Sequence, residues 1–495
     1  MAQTKTLAQL GLTAQGGRRA DITGVTTDSR AVRRGQLFAA LPGTRVHGAA
    51  FIGMALEKGA GAVLTDAVGA QLAAAALAGS DAALIVAEDP RAALAQTASL
   101  WFGAHPEVMV AVTGTNGKTS VSTFTRQIWE TLGYIGINLG TTGVEGAWSA
   151  PLGHTTPDPV TLHRVLAEAE AAGVTHAAME ASSHGLDQRR LDGVMLHAAG
   201  FTNFTQDHLD YHKTFEAYFE AKMTLFTRVL TEDGVAVVNL DDPRGEEVAS
   251  LCTTRGIEVI GVGRHPDARL RILGQRFDDT GQDLRFSWQD RPHTARLNLI
   301  GGFQADNVAL ACGLCIAAGA IPGDVFDTLD QLTTVRGRMQ LVARRDNGAT
   351  VFVDFAHTPD AVRIALQALK PHVMGRTVVI LGAGGDRDAG KRPLMGKAAA
   401  ENADLVIVTD DNPRSERPAD IRAAVLAGAK GGAEVIEVGD RAEAILRGID
   451  ALGPGDALLI AGKGHETGQI VGDTVLPFDD AEQASVAVAA LEGKI

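Results

Sequence analysis

The segment from Gly114 to Thr119 has the residue types and spacing of a loop that binds nucleotide phosphates. It follows the apolar run Val108 to Val112 and precedes a helical pattern. Backbone N–H groups of such a loop and of the helix N-terminus bind phosphate oxygens. Lys118 would reach the terminal phosphates, and the Thr119 hydroxyl would be a ligand for Mg²⁺. The predicted ATP-binding residues of this segment are Gly114, Thr115, Asn116, Gly117, Lys118, Thr119 and Ser120.

Two side chains further along the chain are candidate metal ligands. Glu180 directly follows the apolar run His176 to Met179, and His208 lies in the segment Gln-Asp-His-Leu-Asp-Tyr-His. Either residue alone is typical of an ordinary loop. ATP chemistry requires a divalent cation, however, and oxygen ligands beside a phosphate loop suit Mg²⁺. We therefore expect Glu180 and His208 to serve the metal.

Lys222 lies at helical spacing within an apolar pattern that runs from Phe215 to Val229. A lysine in such a place often extends along the helix and keeps its ammonium group in water. The alternative is burial, which favours the neutral amine because the charged form loses its solvation. A neutral amine can add CO₂ and become a carbamate, an anion able to sit beside metal-bound phosphate.

The chain from about residue 105 onward repeats one sequence pattern, in which a short apolar run ends in polar, Gly-rich sequence and helical spacing of apolar residues often follows. This pattern is typical of βα units and a mainly parallel sheet. Ligands of such sheets bind beyond the carboxyl ends of the strands. Two successive sheets with dense polar clusters at their strand ends predict an active site in a cleft between two domains.

The 495 residues predict about three domains at roughly 150 residues each. We expect a smaller N-terminal α/β domain over residues 1–98, a central domain over 99–335 and a C-terminal domain over 336–495. The fold class is therefore α/β, with a parallel-rich central sheet similar to that of P-loop ATPases.

Composition narrows the choice of partner and compartment. With 45 basic and 59 acidic residues the net charge is -14, which disfavours nucleic acid and anionic membranes because both need basic patches. The three cysteines are too few for a disulfide framework, and Cys312 and Cys315 lie in an apolar helical run that predicts buried thiols. We find no signal-peptide pattern or membrane-length apolar run. We predict a cytoplasmic monomer that acts on small molecules and does not insert into membranes.

Taken together, the motifs resemble the Mur ligases of peptidoglycan synthesis over nearly the whole chain. The matching segments are Gly114–Thr119, Met179–Gly185, Thr202-Asn203, Asp207–His212, Lys222, Asn307, Arg336–Arg338 and Asp354–Pro359. Thr27–Arg30 and His154–Pro157 are similar to the member that extends UDP-N-acetylmuramoyl-L-alanyl-D-glutamate. The resemblance implies an N-terminal domain for the UDP-sugar, a central ATPase domain and a Rossmann-like C-terminal domain that brings the amino acid.

The resemblance also implies a mechanism, in which ATP phosphorylates the γ-carboxylate of D-glutamate and the incoming amine attacks the acyl phosphate. It implies that Lys222 is carbamylated, that Thr119 and Glu180 serve one Mg²⁺, and that His208 and the carbamate serve another. Lys118, Glu180, His208 and Lys222 are accordingly the predicted catalytic residues. The nucleotide would also be contacted by Asn307, Arg338 and Asp354.

Two further sets of residues match the family's substrate-binding positions. The positions for the UDP-dipeptide are Ser29, Thr44, Arg45, Val46, Thr155, Thr156, Ser182, Gln188 and Arg190. The positions shared with members that add meso-diaminopimelate are Arg387, Asp411, Asn412, Pro413, Arg414, Gly462 and Glu466.

The choice of diaminopimelate has a physical basis. Diaminopimelate differs from lysine by a second α-amino-acid centre with an extra carboxylate, to which Arg387 and Arg414 can each offer a planar fork. Glu466 can accept from the ammonium group. A lysine-adding enzyme would need no arginine there, and an unpaired buried guanidinium would be costly.

Two alternatives stay open at the level of sequence. One is a sibling ligase that adds lysine or acts at another step of the pathway. The other is a nucleotide-binding regulatory protein that hydrolyses ATP slowly to switch a partner. The loop itself is a variant, because it has Val112 where the full consensus has glycine. No Asn-Lys-x-Asp segment follows the loop, which argues against a GTPase switch.

Overall fold

The computed structural model describes residues 3–43, 46–205 and 209–494. For Leu209 and Asp210 it describes the backbone but not the side chain. Three predicted site residues, Thr44, Arg45 and His208, lie outside the described residues. The chain forms two compact units, Met1–Arg271 with Ala309–Val325, and Ile272–Val308 with Phe326–Ile495.

The N-terminal part of the first unit contains a four-stranded parallel sheet of order β3-β4-β5-β6. Its strand β5 is buried along its whole length and is accordingly apolar on both faces up to its last residue. The strands are β1 (Lys5–Thr6), β2 (Asp21–Ile22), β3 (Val25–Thr26), β4 (Leu37–Ala39), β5 (Ala62–Thr65) and β6 (Ala83–Val86). The helices are α1 (Ile52–Glu57), α2 (Ala67–Leu72), α3 (Ala74–Ala78) and α4 (Pro90–Phe102).

The central part of the first unit is a larger sheet of order β13-β12-β11-β7-β10-β8-β9, parallel except for β9. Its strands are β7 (Val108–Thr113), β8 (Gly136–Gly140), β9 (Gly143–Gly146), β10 (His176–Glu180), β11 (Ala198–Phe201), β12 (Val235–Asn239) and β13 (Glu258–Gly263). The helices are α5 (Lys118–Thr131), α6 (Pro159–Ala171), α7 (Ser183–Asp187), α8 (Leu209–His212), α9 (Phe215–Thr224) and α10 (Gly245–Thr254). Parallel strands bring the ends of β7, β8, β10 and β11 to one edge of the sheet.

The helix that carries Lys222 differs from the single apolar helix that the sequence predicts. Helix α9 ends at Thr224 and continues as a π-helix over Leu225–Val229. The predicted apolar stripe is also incomplete, because Phe215 at its start is 41% exposed. Lys222 itself is buried, with 1% exposure, so the interpretation that its ammonium group stays in water is wrong.

The second unit is built on a six-stranded sheet of order β17-β18-β22-β19-β20-β21, antiparallel only at β17. The strands from residue 270 onward are β14 (Leu270–Asp278), β15 (Gly281–Trp288), β16 (Arg291–Leu297), β17 (Gln340–Arg344), β18 (Thr350–Asp354), β19 (Thr377–Leu381), β20 (Leu405–Val408), β21 (Glu434–Glu437), β22 (Ala457–Ala461), β23 (Gly468–Val471) and β24 (Thr474–Pro477). The helices from residue 303 onward are α11 (Phe303–Ala317), α12 (Pro322–Asp327), α13 (Pro359–Leu369), α14 (Lys391–Asn402), α15 (Pro418–Gly428), α16 (Arg441–Asp450) and α17 (Asp480–Leu491). Most residues of α11 and α12 fall in Ala309–Val325 and so belong to the first unit.

Two sequence expectations about elements can be checked directly. Cys312 and Cys315 are buried in helix α11, as predicted, and burial raises the pKa of Cys312 to about 12. The first strand of the second sheet is β17, whereas the apolar run Val351-Phe352-Val353 predicts a first strand that corresponds to β18. Strand β17 was missed because it is a partly exposed edge strand without a continuous apolar run.

Within the described parts of the chain, no helix combines the length and apolar character needed to cross a membrane.

Candidate functional site

The phosphate loop is fixed to the end of strand β11 by backbone and side-chain hydrogen bonds. Thr115 N donates to Asn203 O at 2.8 Å, Asn116 N donates to Asn203 Oδ1 at 2.9 Å, and Thr202 Oγ1 donates to Asn116 O at 2.6 Å. The contact requires glycine at position 114, because a Cβ there would lie 1.8 Å from Thr202 Oγ1 and the φ angle is 144°. The loop therefore has one defined path into helix α5.

Two lysine side chains converge on one carbonyl oxygen of this loop. Lys118 Nζ donates to Gly114 O at 2.9 Å and to Thr115 O at 2.8 Å. Lys222 Nζ donates to the same Gly114 O at 2.7 Å and lies 4.5 Å from the centre of the Tyr218 ring. Two lysine side chains that reach the same carbonyl of the loop are suited to a polyphosphate.

Glu180 lies at the end of strand β10 and is 1% exposed. Its Oε1 accepts hydrogen bonds from Thr119 Oγ1 at 3.0 Å and from Thr141 N at 2.8 Å. A Cβ at Gly140 would lie 2.0 Å from the same oxygen, so the carboxylate occupies space that only glycine leaves open. The structure thus brings together two of the predicted metal ligands, Thr119 and Glu180.

The donor set around Glu180 fits Mg²⁺, because a hydroxyl and a carboxylate are hard oxygen ligands. The described residues contain no cluster of three or more His, Cys, Asp or Glu side chains that could hold a metal. A protein site for Mg²⁺ here would consequently be sparse, and phosphate oxygens and water would complete it.

Five predicted UDP-substrate residues form one network that begins at Glu180. Thr156 Oγ1 donates to Glu180 O at 2.9 Å and accepts from Ser182 N at 3.0 Å. Arg190 donates to Thr156 O at 2.6 Å and to Gln188 Oε1 at 2.8 Å. The Thr155 hydroxyl lies 3.1 Å from the Thr141 hydroxyl, which itself lies 3.3 Å from Glu180 Oε2. These residues are therefore contiguous with the phosphate loop through Glu180.

A cavity of about 660 Å³ opens at the carboxyl ends of strands β4, β5 and β6. Its lining residues are Pro42, Asp66, Glu88, Asp89, Pro90, Arg91 and Arg189. Arg91 Nη2 donates to Pro42 O at 2.6 Å, and Arg189 forms ion pairs with Asp89 and Asp192. Of the two predicted substrate residues near these strand ends, Ser29 is buried and Val46 is 56% exposed.

The second unit carries the remaining predicted nucleotide residues. Asp354 ends strand β18, and its carboxylate accepts from Met339 N at 2.7 Å and Ala356 N at 2.8 Å. Burial raises the pKa of Asp354, and the neighbouring Arg338 opposes that rise. The Arg338 guanidinium lies 4.6 Å from the centre of the Phe355 ring. Asn307, on helix α11, donates to Gln304 Oε1 at 3.0 Å.

The predicted diaminopimelate residues Arg387 and Arg414 meet around one glycine. A Cβ at Gly384 would lie 2.9 Å from Arg414 Nη1 and 3.6 Å from Arg387 Cγ. Arg414 has a φ angle of 51° and donates through Nη1 to Gly385 O at 2.8 Å. Arg387 is exposed. The Arg414 guanidinium and the Cγ atom of Arg387 thus lie beside the same glycine, and a guanidinium group suits a carboxylate.

The other residues of this set surround the end of strand β22. A Cβ at Gly462 would lie 2.5 Å from Asp411 Oδ2, and the φ angle there is 115°. Pro413 O would lie 1.9 Å from a Cβ at Gly385. Asn412 Nδ2 donates to Glu466 Oε2 at 2.9 Å. The loops after β19, β20 and β22 thus come together at adjacent strand ends, as expected of a parallel sheet.

Sequence reasoning missed three residues that organise these sites. Thr141 binds the Glu180 carboxylate, and its only signal is a position directly after a strand end. Arg189 lines the cavity and pairs with Asp89, but nothing in the pair Arg189-Arg190 distinguishes its role from that predicted for Arg190. Lys463 is fully buried beside Asn412 and Glu466, and a lysine directly after an apolar strand could have indicated it.

Comparison with known proteins identifies the family. Residues 112–315 match the Mur ligase middle domain, residues 337–464 match the Mur ligase glutamate ligase domain, and residues 21–101 match the Mur ligase family catalytic domain. The chain belongs to the Mur ligase family.

Individual relatives cover almost the whole chain. A UDP-N-acetylmuramoyl-L-alanyl-D-glutamate–2,6-diaminopimelate ligase of Bradyrhizobium diazoefficiens is 49% identical over 473 residues, 95% of each chain. The Caulobacter vibrioides ligase of the same name is 47% identical over 95% of this chain and 96% of its own. A solved structure of a ligase of that name is 33% identical, with a TM-score of 0.73 over 99% of this chain and 100% of that one.

The comparisons confirm the predicted α/β class and three-domain architecture. The domain limits at residues 98 and 335 and the role of each site residue stay predictions.

Proposed function

We propose that this protein is an ATP-dependent ligase that joins meso-diaminopimelate to the D-glutamate γ-carboxylate of UDP-N-acetylmuramoyl-L-alanyl-D-glutamate. The observation that carries the proposal is the meeting of Arg387 and Arg414 at Gly384, close to the Asn412–Glu466 pair. This arrangement offers guanidinium donors to a carboxylate and a carboxylate to an ammonium group, the two groups of an α-amino-acid centre. Relatives with nearly half their residues identical carry the corresponding name.

The reaction has two covalent steps. An oxygen of the γ-carboxylate attacks the γ-phosphorus of ATP, which forms an acyl phosphate and releases ADP. The amine then attacks the acyl carbon, and the tetrahedral intermediate loses inorganic phosphate and a proton to give the amide. Both steps need positioning and charge compensation more than acid–base chemistry.

Lys118 and the backbone of the phosphate loop would bind the terminal phosphates in this scheme. Thr119 and Glu180 would hold Mg²⁺, which when bound supplies positive charge that offsets the phosphate oxygens. Thr155, Thr156, Ser182, Gln188 and Arg190 would position the peptide end of the UDP-substrate next to Glu180. The family's modification of Lys222 to a carbamate would replace one of the two ammonium groups at Gly114 O by an anion.

Several finer statements belong to the same proposal. His208, Thr44 and Arg45 keep the metal and UDP-substrate roles that the resemblance implies, and Asn307, Arg338 and Asp354 keep the nucleotide role. The protein would act as a monomer in the cytoplasm, where its UDP-linked substrate is made.

Release of inorganic phosphate tests the proposal. Phosphate release from ATP should require both the UDP-dipeptide and meso-diaminopimelate, and omission of either should reduce it to background. Turnover that is independent of both substrates would instead support the regulatory ATPase. Faster turnover with L-lysine than with diaminopimelate would support the sibling ligase.

A further inference from the structure

Lys463 is a fully buried lysine whose three N–H donors all have acceptors. It follows strand β22, and its side chain is 0% exposed. Its Nζ lies 3.2 Å from Asn412 Oδ1, 3.2 Å from Glu466 Oε2 and 2.5 Å from Gly468 O. Burial of an ammonium group costs free energy unless the group is paired and hydrogen-bonded. The burial of Lys463 therefore depends on these three partners.

The contact with Lys463 decides the orientation of the side-chain amide of Asn412, the first partner. Asn412 Oδ1 accepts from Lys463 Nζ and from Ile470 N, the second at 2.9 Å. An exchange of the amide oxygen and nitrogen would set an NH₂ group against two donors. The amide nitrogen must therefore face Glu466, to whose Oε2 it donates at 2.9 Å.

The second partner, Glu466, is held by one oxygen and remains partly accessible. Oε2 accepts from both Lys463 and Asn412, and these are the hydrogen bonds that the described residues make to this carboxylate. The side chain is 38% exposed. Oε1 thus keeps its acceptor capacity for a group that approaches from the exposed side.

The third partner connects Lys463 to the segment that carries Arg414. Gly468 begins the hairpin of β23 and β24, and this hairpin pairs with the Arg414 backbone. Arg414 N donates to Ile470 O at 3.0 Å, and Gly472 N donates to Arg414 O at 2.8 Å. One buried ammonium group therefore anchors Asn412, Glu466 and the hairpin beside Arg414.

We infer that Lys463 is a positioning residue of the amino-acid pocket. It holds the Asn412 amide and the Glu466 carboxylate in one arrangement, in which Glu466 Oε1 accepts from the ammonium group of the incoming amino acid. Lys463 itself touches no substrate and acts through Glu466. This inference rests on the proposed function, which assigns the pocket to the amino acid.

Replacement of Lys463 by methionine tests the inference, because methionine keeps much of the length and removes the charge and donors. We expect Lys463→Met to raise the KM for diaminopimelate by about tenfold, the effect of one charge-assisted hydrogen bond. The KM values for ATP and the UDP-dipeptide should stay within about twofold, since their contacts do not involve this network. Lys397→Met, the same change at a lysine that is 61% exposed on helix α14, is the matched control.

A double-mutant cycle with Glu466→Gln separates positioning from general support of the fold. If Lys463 acts through Glu466, Lys463→Met should add little to the rise in KM that Glu466→Gln causes alone. Additive effects of the two changes, or equal rises in the KM of all three substrates, would overturn the inference. So would failure of both Lys463→Met and Lys463→Gln to fold, because Lys463 would then be structural.

The wild-type enzyme separates failure of the inference from failure of the proposed function. A preference for lysine over diaminopimelate in the wild type would contradict the proposed function alone. The double-mutant cycle would then be measured with lysine, whose α-ammonium group would donate to Glu466 in the same way.

Discussion

The phosphate loop and the proposed amino-acid pocket both contain a buried lysine, but the hydrogen-bond partners of the two lysines differ. At the loop, Lys118 and Lys222 donate to one carbonyl oxygen, that of Gly114. In the pocket, Lys463 meets two neutral oxygens and the Glu466 carboxylate. The loop thus brings two lysine amines to neutral carbonyl oxygens, whereas the pocket holds its lysine amine against a carboxylate.

This difference indicates how each site contributes. Lysine side chains at a phosphate loop act on the phosphoryl groups that move during the reaction, so their loss should reduce the rate of the chemical step. A balanced network mainly fixes geometry, so its loss should reduce affinity and selectivity. The first three predictions below test this contrast, from the largest expected effect to the smallest, and a fourth concerns a buried histidine in the core of the first unit.

Lys118→Ala should cause the largest loss, because it removes the lysine that would bind the terminal phosphates. We expect kcat/KM to fall by about 10³-fold, measured as phosphate release with all three substrates. Lys397→Ala is the control and should retain full activity. A Lys118→Ala enzyme within about tenfold of wild type would remove the lysine from phosphoryl transfer.

Lys222→Ala should reduce the rate by roughly 10²-fold if the active form of Lys222 is a carbamate. A short carboxylic acid such as acetate or propionate should then restore part of the activity, because it supplies an anion in the space that the side chain leaves. The same acids should not rescue Lys118→Ala, which lacks a cation. A fully active Lys222→Ala enzyme would end the carbamate hypothesis.

Arg414→Ala should act on affinity for the amino acid. We expect the KM for diaminopimelate to rise by roughly 10- to 100-fold, while the KM for ATP changes little. Arg417→Ala changes an arginine that is 83% exposed three residues further on and serves as the control. Equal rises in both KM values would show that Arg414 does not choose the amino acid.

The fourth prediction concerns the pH dependence of stability that the buried ring of His163, in the first unit, should cause. Burial lowers the pKa of His163 to about 4, so the folded protein keeps the ring neutral while the unfolded chain takes up a proton below about pH 6.5. Stability should therefore fall as pH drops from about 6.5 towards 4, and this histidine contributes about 2 kcal/mol of that loss by pH 5.

His163→Gln keeps a donor for Asp192 O, to which His163 Nε2 lies at 3.4 Å. In urea unfolding at about pH 7.5 and 5, this variant should lose about 2 kcal/mol less than wild type. Identical pH dependence in the two proteins would contradict the assignment to His163.

The contiguous motifs could be predicted from the sequence because each carries its own chemistry. The loop from Gly114 to Thr119 follows an apolar strand, and Glu180 and Asp354 are the polar residues that end the apolar strands β10 and β18. The burial of Lys222 was foreseen only as an alternative, since helical spacing cannot separate a snorkelling lysine from a buried one.

The contacts that depend on strand order could not be predicted. Asn412 and Glu466 are 54 residues apart, and they meet only because β20 and β22 both lie beside β19 in the sheet. Nothing in the local sequence sets that order, so Lys463 carried no assigned role. The π-helix after α9 and the edge strand β17 were also missed, because neither changes the pattern of apolar residues.

A competition between two amino acids tests the central claim most directly. The wild-type enzyme would receive ATP, the UDP-dipeptide and equal concentrations of meso-diaminopimelate and L-lysine, and mass spectrometry would measure both UDP-tripeptides. If Arg387, Arg414 and Glu466 read the second α-amino-acid centre, the diaminopimelate product should exceed the lysine product by about 100-fold or more. A mixture dominated by the lysine product would contradict this account of how the pocket chooses its substrate.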